Sequence, residues 1–238
     1  LDVTSGRFIL QQVGSEALLL GEIERLNPAE LLFSETMELP ASLKTRRGLC
    51  RRASWHFDTE SSRQQLLKQF GTVDLKGFGC DDMTVAIGAA GALLHYVKET
   101  QFTALPHIQG ITTENSNDCI LLDAASRRNL ELDFHPSGLA QHTLFGITAM
   151  GSRCLRRWLH RPLRDHHVLN HRYACVENLL DNRLYDSIQT LLRHVGDIER
   201  ICARIALKSA RPRDLISLKN SLSVLPELQN SLKTDNSQ

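Results

Sequence analysis

Five carboxylates offer the most chemistry in this sequence: Asp2, Glu30, Glu35 and the neighbours Asp81 and Asp82. Brought together, such acids could hold two divalent cations about 4 Å apart and cleave a phosphodiester by metal-assisted hydrolysis. Their spacing does not require that they converge. Asp81 and Asp82 equally suit a pair of N-caps before Met83, accepting the free amides of the helix that follows. The second candidate is MGSRCLRRWLHRPLRD, residues 150–165, in which five arginines meet one acid, Asp165. On a helix turning about 100° per residue, Leu155, Trp158 and Leu159 share one side with Gly151 and Pro162. Arg153, Arg156, Arg157 and His160 fall opposite. The expected element is a core-packing helix on Leu155, Trp158 and Leu159 with a solvated basic face. It should end near Arg161, because Pro162 lacks an N–H and disfavours helical geometry in the residue before it.

Other chemistries are excluded by their absent signatures. There is no GxxxxGK[ST] phosphate loop, no GxSxG and no HExxH, and GAAGA is small-residue helix packing. His166 and His167 are adjacent and point apart; with His160, His171 and Arg172 they read as exposed polar residues rather than metal ligands. The six cysteines, Cys50, Cys80, Cys119, Cys154, Cys175 and Cys202, form no CxxC pair and are expected as reduced, buried thiols. No apolar run approaches the roughly 18 residues of a membrane span. A net charge of +1, split as −2 over residues 1–104 and +3 over 105–238, is too mild to name a partner.

The elements that must position these residues change character along the chain. DVTSGRFIL predicts a strand over about 2–10, bent at Gly6. SEALLLGEIERL predicts a helix capped by Ser15, and Leu31–Phe33 a short buried strand, so the opening resembles a βαβ unit. DTESSRQQLLKQF, residues 58–70, predicts a helix turning Leu66, Leu67 and Phe70 inward and Gln64, Gln65 and Lys68 outward. TVAIGAAGALLHYVKET is a helix whose Ala and Gly content permits close packing on a sheet. ILLD and LEL, around residues 120–132, predict short strands about a polar turn. From Met150 onward the pattern is helical: 166–181, 184–195, VGDIERICARIALK, and PRDLISLKNSLSVL with Pro212 in its first turn and a stripe of Leu215, Leu218, Leu222 and Leu225. The fold class is therefore α/β followed by mostly α. A boundary near Pro106 separates 1–104, a mixed sheet with flanking helices, from 105–238, a helical segment with a few short strands.

Several stretches together, in one order, are similar to MutS mismatch-repair ATPases. TSGRF, NPAELLF, RRGLCRR followed by W-x-F, and QFGTVDLKGFG resemble the connector domain. LPHI, LDAASRRNLEL, TL, MGSRCLRRWLHRPL, VGDIERICARIAL and ARPRDLISLKNSLSVLPEL resemble the core and lever region after it. The resemblance implies a ribonuclease H-like connector over 1–104 and the N-terminal part of the core/lever domain over 105–238. It implies a non-catalytic internal fragment, coupling mismatch binding to a distant ATPase and offering MutL a docking surface. Gln64, Gln65 and Lys68 are the candidates for that surface. The chain, opening at LDVTSGRF without an initiator Met, would be cut from something longer, with the mismatch-reading domain before Leu1 and the clamp and Walker A domain after Gln238. ATP and Mg would bind outside this segment, and no catalytic, cofactor or metal residue carries over. Mismatched double-stranded DNA and MutL would be partners of the parent protein, a homodimer of the bacterial cytoplasm associated with the nucleoid. The family also carries a Leu-Asp-x-Thr segment of which about five residues are missing at Gly146–Ile147, so these two residues are expected to flank a gap rather than share a peptide bond, the alternative being a true deletion.

Two other readings stay open on the residues alone. One is a ribonuclease H-like metal-dependent nuclease with a helical extension, using Asp2 on its first strand with Glu30, Glu35 and Asp81 or Asp82. The other is a basic helical module that binds DNA, which would show steep salt dependence.

Overall fold

The computed structural model describes residues 1–102, 104–130, 132 and 146–233. They divide into two units, Leu1–Asn115 and Ser116–Gln238. The divide expected after residue 104 falls before three side chains of the first unit's core, Leu105, Ile108 and Ile111. Burying them holds residues 105–113 to that unit.

In the first unit the strand expected over 2–10 is shortened to β1 (Ile9–Leu10). Gly6, at φ +73°, folds the chain so that Asp2 bridges antiparallel to Arg7. A side chain here would be strained by that φ and would meet the His107 carbonyl 2.5 Å from its Cβ. Helix α1 (Glu16–Leu26) starts where expected, with Ser15 accepting the Leu18 amide. Strand β2 (Leu31–Ser34) pairs parallel with β3 (Leu49–Arg52) across a crossover holding the short helix α2 (Ala41–Lys44). β1 pairs parallel with β4 (Thr112–Thr113). Among the described residues these are two separate parallel pairs, not one mixed sheet; with β1 and β4 only two residues long, neither reaches the other pair.

The centre of this unit is instead a helix pair, α3 (Thr59–Phe70) and α4 (Thr84–Gln101). The small residues of α4 serve this contact rather than packing on a sheet. A Cβ on Gly91 would lie 2.2 Å from the Ser62 Cβ, and one on Gly88 would lie 2.5 Å from the Phe57 carbonyl. Ser62, itself buried, donates its hydroxyl to the Gly88 carbonyl at 3.3 Å. Leu66, Ile87, Leu94 and Leu75 fill the space around the crossing.

The second unit is helical: α5 (Ala124–Asn129), α6 (Ala149–His160), α7 (His166–Asp181), α8 (Leu184–Leu192), α9 (Ile198–Ala206) and α10 (Pro212–Lys233). The strand expected at ILLD reduces to an antiparallel bridge of Cys119 with Leu163 and the Ile120 amide donating to the Pro162 carbonyl. Asp123 then caps a helix, accepting the Ser126 amide at 2.7 Å, so its carboxylate ends the extended run. The strand expected at LEL is not formed among the described residues: the Leu130 and Leu132 amides donate back to the Ser126 and Arg127 carbonyls, closing the turn after α5. Residues 133–145 before the Gly146–Ile147 junction and the polar tail from 234 lie outside the described residues. Side-chain caps recur: Thr148 for α6, Asp165 for α7 and Asp197 for α9. Among the described residues, no helix is long and apolar enough to cross a membrane.

Candidate functional site

Four of the five acids of the nuclease reading, Asp2, Asp81, Glu30 and Glu35, are engaged separately. Asp2 accepts from the Thr4 amide (2.9 Å), the Thr4 hydroxyl (2.7 Å) and the Ser5 hydroxyl (2.7 Å). Burial pushes its pKa up, but those hydrogen bonds outweigh burial and hold it below the usual range. Asp81 is bound by the Arg63 guanidinium, whose hydrogen bond lowers its pKa. It is thereby diverted from capping: the N-cap of α4 is Met83, which makes no side-chain cap hydrogen bond, and this corrects the expectation for Asp81 and Asp82. Glu30 hydrogen-bonds Tyr96, and this contact, with burial and Cys50, pushes the phenol up to about 12. Glu35 accepts the Ser54 amide at 3.3 Å. Among the described residues, no three His, Cys, Asp or Glu side chains gather as a metal would need. Asp2, Glu30, Glu35 and Asp81 thus each serve a separate local contact.

The arginine-rich helix behaves differently from its expected wheel. Leu155 and Leu159 are half-buried. Trp158, expected in the core, is 46% exposed. The Arg172 guanidinium of α7 lies over its indole, 3.7 Å from the ring centroid. On the supposed wet face, His160 is buried. Arg153 reaches α9, donating to both Asp197 oxygens at 2.8 and 2.7 Å and to Glu199 at 2.7 Å. Helix α9 thus touches α6 from its basic side, because carboxylates there give the guanidinium a partner. The Arg153 hydrogen bond lowers the Asp197 pKa, while Asp197 raises that of Arg153.

A second ion pair ties α9 to α10: Arg204 donates to Asp214 at 3.1 and 2.9 Å. Asp214 also accepts the Arg211 amide at 2.9 Å, and this bond, with Arg204, lowers its pKa. Ser221, buried on α10, accepts the Gly196 amide at 2.9 Å and donates to the Ser217 carbonyl at 2.7 Å. This contact moves the packed face away from the expected stripe, leaving Leu215 and Leu222 exposed and Leu218 and Leu225 half-buried. The chain of ties α6–α9–α10 was not visible in spacing, since its members lie 44 and 10 residues apart.

On α3, Gln64 and Lys68 are exposed as expected, while Gln65 is half-buried. Gln64 leans toward Glu60 at 3.5 Å. Phe70 packs its ring against Phe78, centroids 5.2 Å apart. All six cysteines are free; Cys80 and Cys119 are buried as expected, but Cys175 and Cys202 are exposed.

Protein-family models match the chain in two consecutive stretches: MutS domain II over residues 1–109 and MutS domain III over residues 125–238. Together they span nearly the whole sequence, in the order expected from the motifs. The chain therefore belongs to the MutS family of DNA mismatch-repair proteins, of which it carries the connector and core domains.

Proposed function

We propose that this chain couples mismatch binding to a distant ATPase, and that its connector offers MutL a docking surface. The observation that carries the coupling role is the run of ion-paired helices, Arg153 to Asp197 and Glu199, then Arg204 to Asp214. Transmission needs rigid elements with discrete arrangements. Geometrically directed Arg–carboxylate bonds between helices supply rigidity that leucine contacts alone do not. The connector is of ribonuclease H-like type on this reading, supported by its parallel strand pairing around flanking helices. ATP and Mg are handled by another domain of the parent protein, a homodimer acting on mismatched double-stranded DNA in the bacterial cytoplasm. For docking, exposed Gln64 and Lys68, with Gln65 beside them, present amides and a cation on a helix fixed by the Ser62–Gly91 contact.

Charge reversal at Lys68 together with Gln64→Glu tests the docking role. Pull-down of MutL by the full-length protein should weaken while ATP hydrolysis is unchanged; undiminished pull-down rejects the surface.

A further inference from the structure

The W-x-F motif after the paired arginines has no part in the coupling or in the α3 surface. Its tryptophan, Trp55, is 67% exposed, in a turn that is firmly held. Ser54 donates its amide to Glu35, His56 to the Ala53 carbonyl, and Asp58 to the Trp55 carbonyl. The Phe57 carbonyl lies against Gly88 of α4. Beneath the indole, His56 stacks with centroids 3.5 Å apart and planes at 30°. Behind His56 stands His95 at 4.9 Å, itself 3.4 Å from Glu99, which binds Arg52. The ring is thus presented rigidly, with one face backed and the other open.

The charges around it select the occupant. Arg52 is paired with Glu99, while the exposed Arg51 donates to the neutral Glu35 carbonyl at 2.8 Å and keeps its charge. The exposed Glu35 carboxylate meets the turn at the Ser54 amide, 3.3 Å away, and among the described residues has no cation bound to it. An arginine fits well: its plane can lie over the open indole while its fork meets Glu35. The chain uses this pairing at its other tryptophan, where Arg172 covers Trp158 at 3.7 Å. Trp55 has the same open aromatic face and supplies the carboxylate, but no arginine.

We infer that Trp55 and Glu35 form an anchor for a partner protein, receiving one arginine side chain of that partner. This rests on the reading that the connector docks MutL, and names a second contact of that interface. Tryptophan and arginine are among the residues enriched where interface binding energy concentrates.

The test is the affinity of MutL for the 238-residue chain, compared among wild type, Trp55→Ala, Glu35→Gln, and the Lys68 and Gln64 variant. Thermal unfolding of each serves as the folding control; both positions are exposed, so unchanged midpoints are expected. Trp55→Ala should weaken binding at least about tenfold and Glu35→Gln about threefold to tenfold, with Trp55→Phe keeping part of the affinity. If wild type binds and both Trp55→Ala and Glu35→Gln bind within about twofold of it, the anchor is refuted while docking stands. If wild type does not bind MutL but the full-length protein does, docking lies outside this chain and the anchor falls with it.

Discussion

Trp158 bears on its ring a guanidinium from another helix, and half its surface remains in water. Its energetic weight follows from that. Emptying a core site of this size would cost about 3–5 kcal/mol; losing a partly exposed ring and one cation–π contact should cost about 1–2 kcal/mol. Trp158→Ala measured by urea unfolding is expected in the lower range, and a loss above about 3 kcal/mol would mean the ring is buried after all. Arg156→Ala, at an exposed position of the same helix, should cost about 0.5 kcal/mol or less. Asp197 carries a pH signature. Its pKa is lowered, by Arg153 first, so it contributes stability that is complete above its unfolded value of 3.8 and is lost as pH falls through the lower folded value. Denaturation below about pH 4 should therefore be shallower for Arg153→Met than for wild type; parallel acid curves would remove the ion pair from the account. These features were hidden for a common reason. A helical wheel assigns faces by hydrophobicity, and cannot know that an arginine has a carboxylate waiting on a helix 44 residues away.

The helices themselves were far more legible. Ser15, Asp58, Thr148, Asp165 and Asp197 each cap a helix with a side-chain oxygen, and Pro162 and Pro212 sit where a helix ends and begins. Local chemistry sets these boundaries, yet of these caps only Ser15 is among the sequence expectations, and the caps expected at Asp81 and Asp82 do not form. The sheet was not legible, because strand pairing depends on partners about 100 residues apart, as for β1 and β4 (Ile9 with Thr112). The GAAGA stretch was legible as close packing but not as to its partner, which is α3. Gly91→Ala should destabilise the connector by about 1–3 kcal/mol despite alanine's better helix propensity, because its Cβ would overlap that of Ser62 at 2.2 Å. In a double-mutant cycle, Ser62→Gly should relieve part of that loss. Additive losses would show that the helices part to accommodate the methyl group.

For the whole molecule, membership of the MutS family was carried by long motifs in order, and the two domain matches agree with them. The coupling role lies beyond what motifs supply, and rests on the ion-paired run through α6, α9 and α10. The most direct measurement is the stimulation of ATP hydrolysis by mismatched over fully paired DNA, in the full-length protein carrying Arg153→Met, with Arg156→Met as the matched control. Arg153→Met is expected to leave basal hydrolysis and mismatch affinity near wild type while the stimulation falls several-fold, and Arg156→Met to change none of the three. Full stimulation in Arg153→Met, at a temperature where the protein remains folded, would contradict it.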